Sequence, residues 1–128
     1  MSNPHALIID DNPNNIDVLA MLLTHEGVTC ATIQSLWHIN EMLDEVGSPD
    51  IIFLDLEFPN GDGFDLLKVL KANPRFNHIP VVAYSVHTGE IDRTRTAGFD
   101  SFLGKPVNLQ NFPNQLQRIL NGEAVWEF

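Results

Sequence analysis

Four short apolar runs in this sequence each end in a polar residue that can do chemistry. Ala6-Leu7-Ile8-Ile9 runs into Asp10-Asp11, Ile51-Ile52-Phe53-Leu54 into Asp55, the run from Ile79 to Tyr84 into Ser85, and Phe102-Leu103-Gly104 into Lys105. Three carboxylates gathered at one place repel at neutral pH, and a proton, a cationic side chain or a metal ion must offset that repulsion. Magnesium fits such a group, since it prefers oxygen ligands and takes one or two carboxylates together with phosphate oxygens. A lysine is a compact point charge for a phosphoryl oxygen, and a serine hydroxyl can donate to another. With that charge neutralised, Asp55 can act as a nucleophile toward phosphorus, giving an acyl phosphate that water later attacks.

These residues meet only if the runs are neighbouring strands with their carboxyl ends at one edge. Four apolar residues in succession before Asp55 predict a strand buried on both faces, as in a parallel sheet covered by helices. Ligands bind at the carboxyl edge of such sheets. Between the runs lie helical patterns. Asn12-Pro13 starts a helix carrying Ile16, Leu19, Leu22 and Leu23 and stopping near Gly27. Val28 to Ile33 reads as the second strand. Ser35 is expected to cap a helix with Leu36, Ile39, Leu43 and Val46 on its apolar face. Pro59-Asn60-Gly61-Asp62-Gly63 is a turn ahead of a third helix with Phe64, Leu67 and Leu70. A weak fourth helix, from about Glu90 to Thr96, has Ile91 as its clearest anchor. The fifth buries Phe112, Leu116, Ile119 and Leu120, and Pro113 leaves two starts open: a late one capped by Asn111, or a distorted first turn from Asn108. Five strands alternating with five helices predict an α/β fold with a parallel sheet and right-handed crossovers.

Composition narrows the function. At 128 residues the chain has room for one domain, and a single cysteine, Cys30, excludes an internal disulfide. Seventeen acidic against seven basic residues give a formal charge of -10, which disfavours nucleic acid and anionic lipid surfaces. Neither a secretory pattern nor a membrane-spanning run is visible, so a soluble protein of a reducing, cytoplasmic compartment is expected. The five histidines show no metal-site spacing.

Taken together, Asp10-Asp11, the strand ending in Asp55, the Pro59 to Gly63 turn, Ser85 and the run from Ala97 to Lys105-Pro106 resemble a response-regulator receiver domain of two-component phosphorelay systems. The resemblance covers nearly the whole chain. It implies a flavodoxin-like (βα)5 fold with five parallel strands in the order 2-1-3-4-5 and helices on both faces, with residues 1–122 as the domain, 123–128 as a short tail and no output domain. It implies phosphorylation of Asp55, by a histidine kinase or phosphotransfer protein, with Mg2+ held by Asp11, Asp55 and the Glu57 backbone carbonyl and Asp10 acting mainly through water. Ser85 and Lys105 would contact the phosphoryl group, and a cis Lys105-Pro106 bond is expected. Ser85 and Phe102 would form the switch, passing the signal to an unknown downstream protein through the face of helix four, strand five and helix five, with room for a phosphorylation-dependent dimer.

The chain departs from the usual pattern where Val86 replaces alanine or glycine and Phe58 replaces methionine. Glu57, Val86 and His87 are expected to tune the lifetime of the phosphorylated state. Two other functions compete. A phosphorylation-independent interaction module would keep the fold without using Asp55, although the complete set of Asp11, Asp55, Ser85 and Lys105 argues against it. A small aspartate-nucleophile phosphatase would need a substrate pocket and an acid near the nucleophile, a part Glu57 could imitate. Trp126 and Phe128 are read as covering an apolar patch of the same domain.

Overall fold

The structure, a computed structural model, describes residues 3–59 and 61–127. Asn60 of the turn and Phe128 of the tail lie outside the described residues. The chain runs β1 (His5–Ile9), α1 (Pro13–His25), β2 (Thr29–Ile33), α2 (Ile39–Glu45), β3 (Ile51–Asp55), a small hairpin of β4 (Glu57–Phe58) and β5 (Gly61–Asp62), and α3 (Gly63–Ala72). Then come β6 (Val81–Ser85), a 3-10 turn (Thr88–Glu90), α4 (Ile91–Ala97), β7 (Ser101–Gly104), α5 (Phe112–Leu120) and β8 (Trp126–Glu127).

All pairs in the main sheet are parallel, in the order β2-β1-β3-β6-β7-β8. The five principal strands thus follow the expected order, and the hairpin stands apart as its own two-stranded unit. The sixth strand was not expected. Residues 126–127 add β8 to the free edge of β7, so part of the segment read as a tail belongs to the sheet.

The strand positions alternate between two cores, as a period of two requires. Leu7, Ile9, Ile52, Leu54, Val81, Ala83 and Phe102 pack under the helices α2 and α3. Ala6, Ile8, Ile51, Phe53, Val82, Tyr84 and Leu103 pack on the other side, under α1 and α5. Every residue of β3 and of β6 is buried, which accounts for their near-continuous apolar sequence.

Helix starts follow local chemistry. The Asn12 side chain accepts from the N–H groups of Asn14 (2.9 Å) and Asn15 (3.3 Å), with Pro13 opening α1. Ser35 does not cap α2. Its hydroxyl oxygen instead accepts from the Trp37 N–H at 3.1 Å, a local turn, and the helix begins at Ile39 behind His38 with φ of 58°. At α5 the late start is realised with Asn111 at the cap position, but the Asn111 side chain makes no cap bond. Asn108 Oδ1 accepts from the N–H groups of Gln110 and Asn111 in a separate turn, and Pro113 falls in the first helical turn, where no N–H is needed. In α4 the fully buried residue is Thr94, its hydroxyl donating to the Ile91 carbonyl at 2.7 Å, while Ile91 itself is only partly buried. No helix among the described residues is long and apolar enough to cross a membrane.

Candidate functional site

The alternation that builds the two cores also builds the site. Asp10 continues the side of β1 that carries Ala6 and Ile8, Asp55 the side of β3 that carries Ile51 and Phe53, and Lys105 the side of Leu103. All three therefore emerge over the α1 and α5 side of the sheet. Register brings them level: Ile9 pairs with Leu54, Asp55 with Tyr84, Ser85 with Gly104, and the Lys105 N–H donates to the Ser85 carbonyl at 2.9 Å. Asp11 lies beyond the end of β1, where the chain turns into α1.

Lys105 is the hub. Its Nζ donates to Asp10 Oδ2 at 2.9 Å and to Asp55 Oδ1 at 3.2 Å. Asp10 is buried and doubly anchored, since its Oδ1 accepts from the Asn12 N–H at 2.9 Å. The Lys105 ammonium also lies 4.8 Å from the centre of the Tyr84 ring. Burial pushes the Asp55 carboxyl up to about 6, Lys105 pulls it down, the Asp10 charge adds to the rise, and the Glu57 backbone opposes it. Burial, with Asp10 and Asp55 nearby, likewise pushes the Tyr84 hydroxyl up to about 12.

One oxygen from each of Asp10, Asp11 and Asp55 lies within 4.8 Å of the others. Three carboxylates facing one ammonium leave an excess of negative charge. All the donors are hard oxygens, so the residues present fit a small divalent cation. The cluster opens into a cleft of about 420 Å³. Its lining also includes Asn12, Asn15, Glu57, Phe58, Pro59, Ser85, Val86 and His87.

Two features of the wall were invisible in the sequence. His87 Nε2 meets Glu57 Oε1 at 2.7 Å, tying the loop after β3 to the loop after β6 across the mouth. Val86, which could have crowded the site, stands 61% exposed on the rim. Ser85 is buried, and its Oγ accepts from the His87 N–H at 3.0 Å, which leaves its own proton to donate. Phe102 does not reach the cleft: it is fully buried on the opposite side of the sheet, in register with Trp126. The Lys105-Pro106 peptide is cis.

Gly63 sets how closely α3 approaches the acid. A Cβ there would collide with the Asp55 carbonyl oxygen and lie 3.0 Å from the Leu56 Cα, both backbone atoms with nowhere to go. The Gly63 N–H donates to the Leu56 carbonyl at 2.9 Å. Gly63→Ala is expected to destabilise the fold by about 2 kcal/mol as an overpacking change, and to displace Asp55. Urea denaturation with an unchanged midpoint would contradict this reading of Gly63.

The family model described as response regulator receiver domain matches residues 6–117. The chain belongs to that family. Among curated relatives of this receiver, the two-component response regulator ORR13 of Oryza sativa subsp. japonica is 31% identical over 123 residues, covering 94% of this chain and 98% of that protein. A solved response regulator receiver domain (CheY-like) from Methylobacillus flagellatus superposes with a TM-score of 0.80 at 27% identity, covering 92% of this chain and 99% of the other. The receiver domain of sensor histidine kinase PA1611 from Pseudomonas aeruginosa PAO1, solved with a magnesium ion coordinated in its active site cleft, shares the fold with a TM-score of 0.81 at 21% identity, covering 94% and 99%. The receiver's five principal strands and five helices are the flavodoxin-like arrangement of those neighbours.

Proposed function

We propose that this receiver takes a phosphoryl group onto Asp55 from the phosphohistidine of a histidine kinase or phosphotransfer protein, with Mg2+ present, and signals through altered protein binding. The observation that carries it is the meeting of Asp10, Asp11, Asp55, Ser85 and Lys105 at one cleft, although they come from four strand ends spread over 95 residues. Asp11, Asp55 and the Glu57 carbonyl would hold the ion directly, with Asp10 fixed behind them by Lys105 and the Asn12 N–H. Magnesium would neutralise charge on the phosphoryl oxygens.

In the transfer one carboxylate oxygen of Asp55 forms a bond to phosphorus as the bond from phosphorus to the imidazole nitrogen breaks, and the imidazole leaves with that electron pair. Lys105 turns from the carboxylate toward a phosphoryl oxygen. Ser85 donates its free proton to another. Attack of water on the acyl phosphate returns Asp55 and inorganic phosphate. Ser85 and Phe102 would carry the change to the face formed by α4, β7 and α5, where a downstream protein, or a second phosphorylated copy, would bind. A cytoplasmic setting suits such a role.

The deciding experiment is intact mass after incubation with magnesium and phosphoramidate. An adduct of one phosphoryl group, absent in Asp55→Asn and in chelator, is expected. Absence of any adduct would favour an interaction module that does not use Asp55.

The bridge between Glu57 and His87 should govern how water enters. Glu57→Asn and His87→Ala each remove it and are expected to change the phosphoryl lifetime about tenfold, in the same direction for both, since each opens the same mouth. Val86→Ala, on the exposed rim, should change it less. Decay of the adduct followed by mass over time checks the order, and equal lifetimes in all three variants and the parent would refute it.

A further inference from the structure

The edge of β7 is the face proposed above for output, and here the chain itself occupies it. The Phe102 N–H donates to the Val125 carbonyl at 2.7 Å, and the Val125 N–H donates to Ser101 Oγ at 2.9 Å in a buried position. Trp126 lies opposite Phe102 in register and packs against the same core. The Arg95 guanidinium of α4 stands 4.6 Å over the Trp126 ring. On the other flank, Gln115 Nε2 donates to Glu127 Oε1 at 2.8 Å and Arg118 Nη1 to Glu127 Oε2 at 3.1 Å, both from α5. Arg118 Nε also holds Glu123. Residues 123–127 therefore touch α4, β7 and α5 together.

We propose that residues 123–127 are an intramolecular occupant of the α4, β7 and α5 face, and that phosphorylation of Asp55 releases them. The proposal rests on the function given above and names how the output face is controlled. The route is short. Lys105 directly follows β7 and holds Asp10 and Asp55, Ser85 closes the strand beside it, and both groups change partners when Asp55 carries phosphate. Any shift they impose on β7 reaches Phe102, whose N–H donates to the Val125 carbonyl and against whose core Trp126 packs. The described part of β8 is two residues at the edge of the sheet, and its Glu127 side chain is 41% exposed, so it opens at lower cost than the strands buried between helices. Release bares Arg95, Gln115 and Arg118, which grip a ring and a carboxylate in the resting chain.

The chain has two tryptophans, so a Trp37→Phe protein reports on Trp126 alone; Trp37 is 69% exposed and its loss touches little. Acrylamide quenching is measured before and after phosphoramidate and magnesium, with intact mass on the same samples. Quenching of Trp126 is expected to be low at first and to rise on phosphorylation toward that of exposed Trp37, measured in Trp126→Phe. Glu127→Ala in the Trp37→Phe background should start at the high value and respond little. An adduct on Asp55 with unchanged Trp126 quenching overturns the release and leaves the phosphoacceptor function standing, as does a Glu127→Ala protein as protected as its parent. Absence of the adduct overturns both.

Discussion

Lys105→Met is expected to lower the stability of this receiver by about 3 to 5 kcal/mol in magnesium-free buffer at neutral pH, the cost typical of stranding one side of a buried ion pair. The side chains of Lys105, Asp10 and Asp55 are 8%, 1% and 11% exposed, so water can do little for the two carboxylates once the ammonium is gone. Methionine keeps an unbranched stem of similar length while removing the ammonium and its contact with the Tyr84 ring. Such a loss is a large share of the total stability of an ordinary domain. Urea denaturation of parent and variant in chelator measures it. Adding Asp55→Asn to Lys105→Met should recover part of the loss, because one stranded charge is removed with its partner, and magnesium should do the same for the single variant. A Lys105→Met protein as stable as the parent would mean that water already pays for these charges, and the cleft would then be a poor place for the proposed chemistry.

Ionisation of Asp55 alone should be visible in the pH dependence of stability. Its carboxyl is raised in the folded protein from 3.8 to about 6, chiefly by burial. Below 3.8 the acid is protonated in both folded and unfolded chains, and its contribution to stability is fully present. As pH rises toward about 6 the unfolded chain releases its proton first, so that contribution is lost, and above about 6 the whole penalty applies. The shift by itself corresponds to about 3 kcal/mol. Other acids titrate over the same range, so the useful quantity is the stability of Asp55→Asn minus that of the parent. In chelator this difference should grow as pH rises through the window. With magnesium the growth should shrink, because a cation beside Asp55 favours its ionised form. A difference that stays flat in chelator would show that Asp55 is not strained by its surroundings.

The polar ends of the strands were legible in the sequence because strand geometry is simple. A period of two, together with four apolar runs of similar length, places Asp10, Asp55, Ser85 and Lys105 at one edge of a parallel sheet before any contact is known. The order of the five principal strands came from the family resemblance rather than from periodicity, which constrains burial and not neighbours. Helix starts were legible only where one chemistry dominated. Asn12-Pro13 offers a cap and a fixed φ, whereas Ser35 could serve either the helix or its own turn, and the turn won.

What the sequence alone determined about this receiver is the class of fold and the set of groups that can reach its carboxyl edge, since both follow from local periodicity and composition. The tertiary structure decided which of those groups touch. Lys105 spans Asp10 and Asp55 because β1, β3 and β7 finish level, a matter of register between segments far apart in the chain. Glu57 reaches His87 only because two loops face each other over the cleft. Residues 126–127 form a strand because the free edge of β7 accepts them and α4 and α5 supply Arg95, Gln115 and Arg118. Two residues have too little pattern to predict a strand. Their conformation is set by the surface they meet, and that surface exists only once the rest of the sheet has formed.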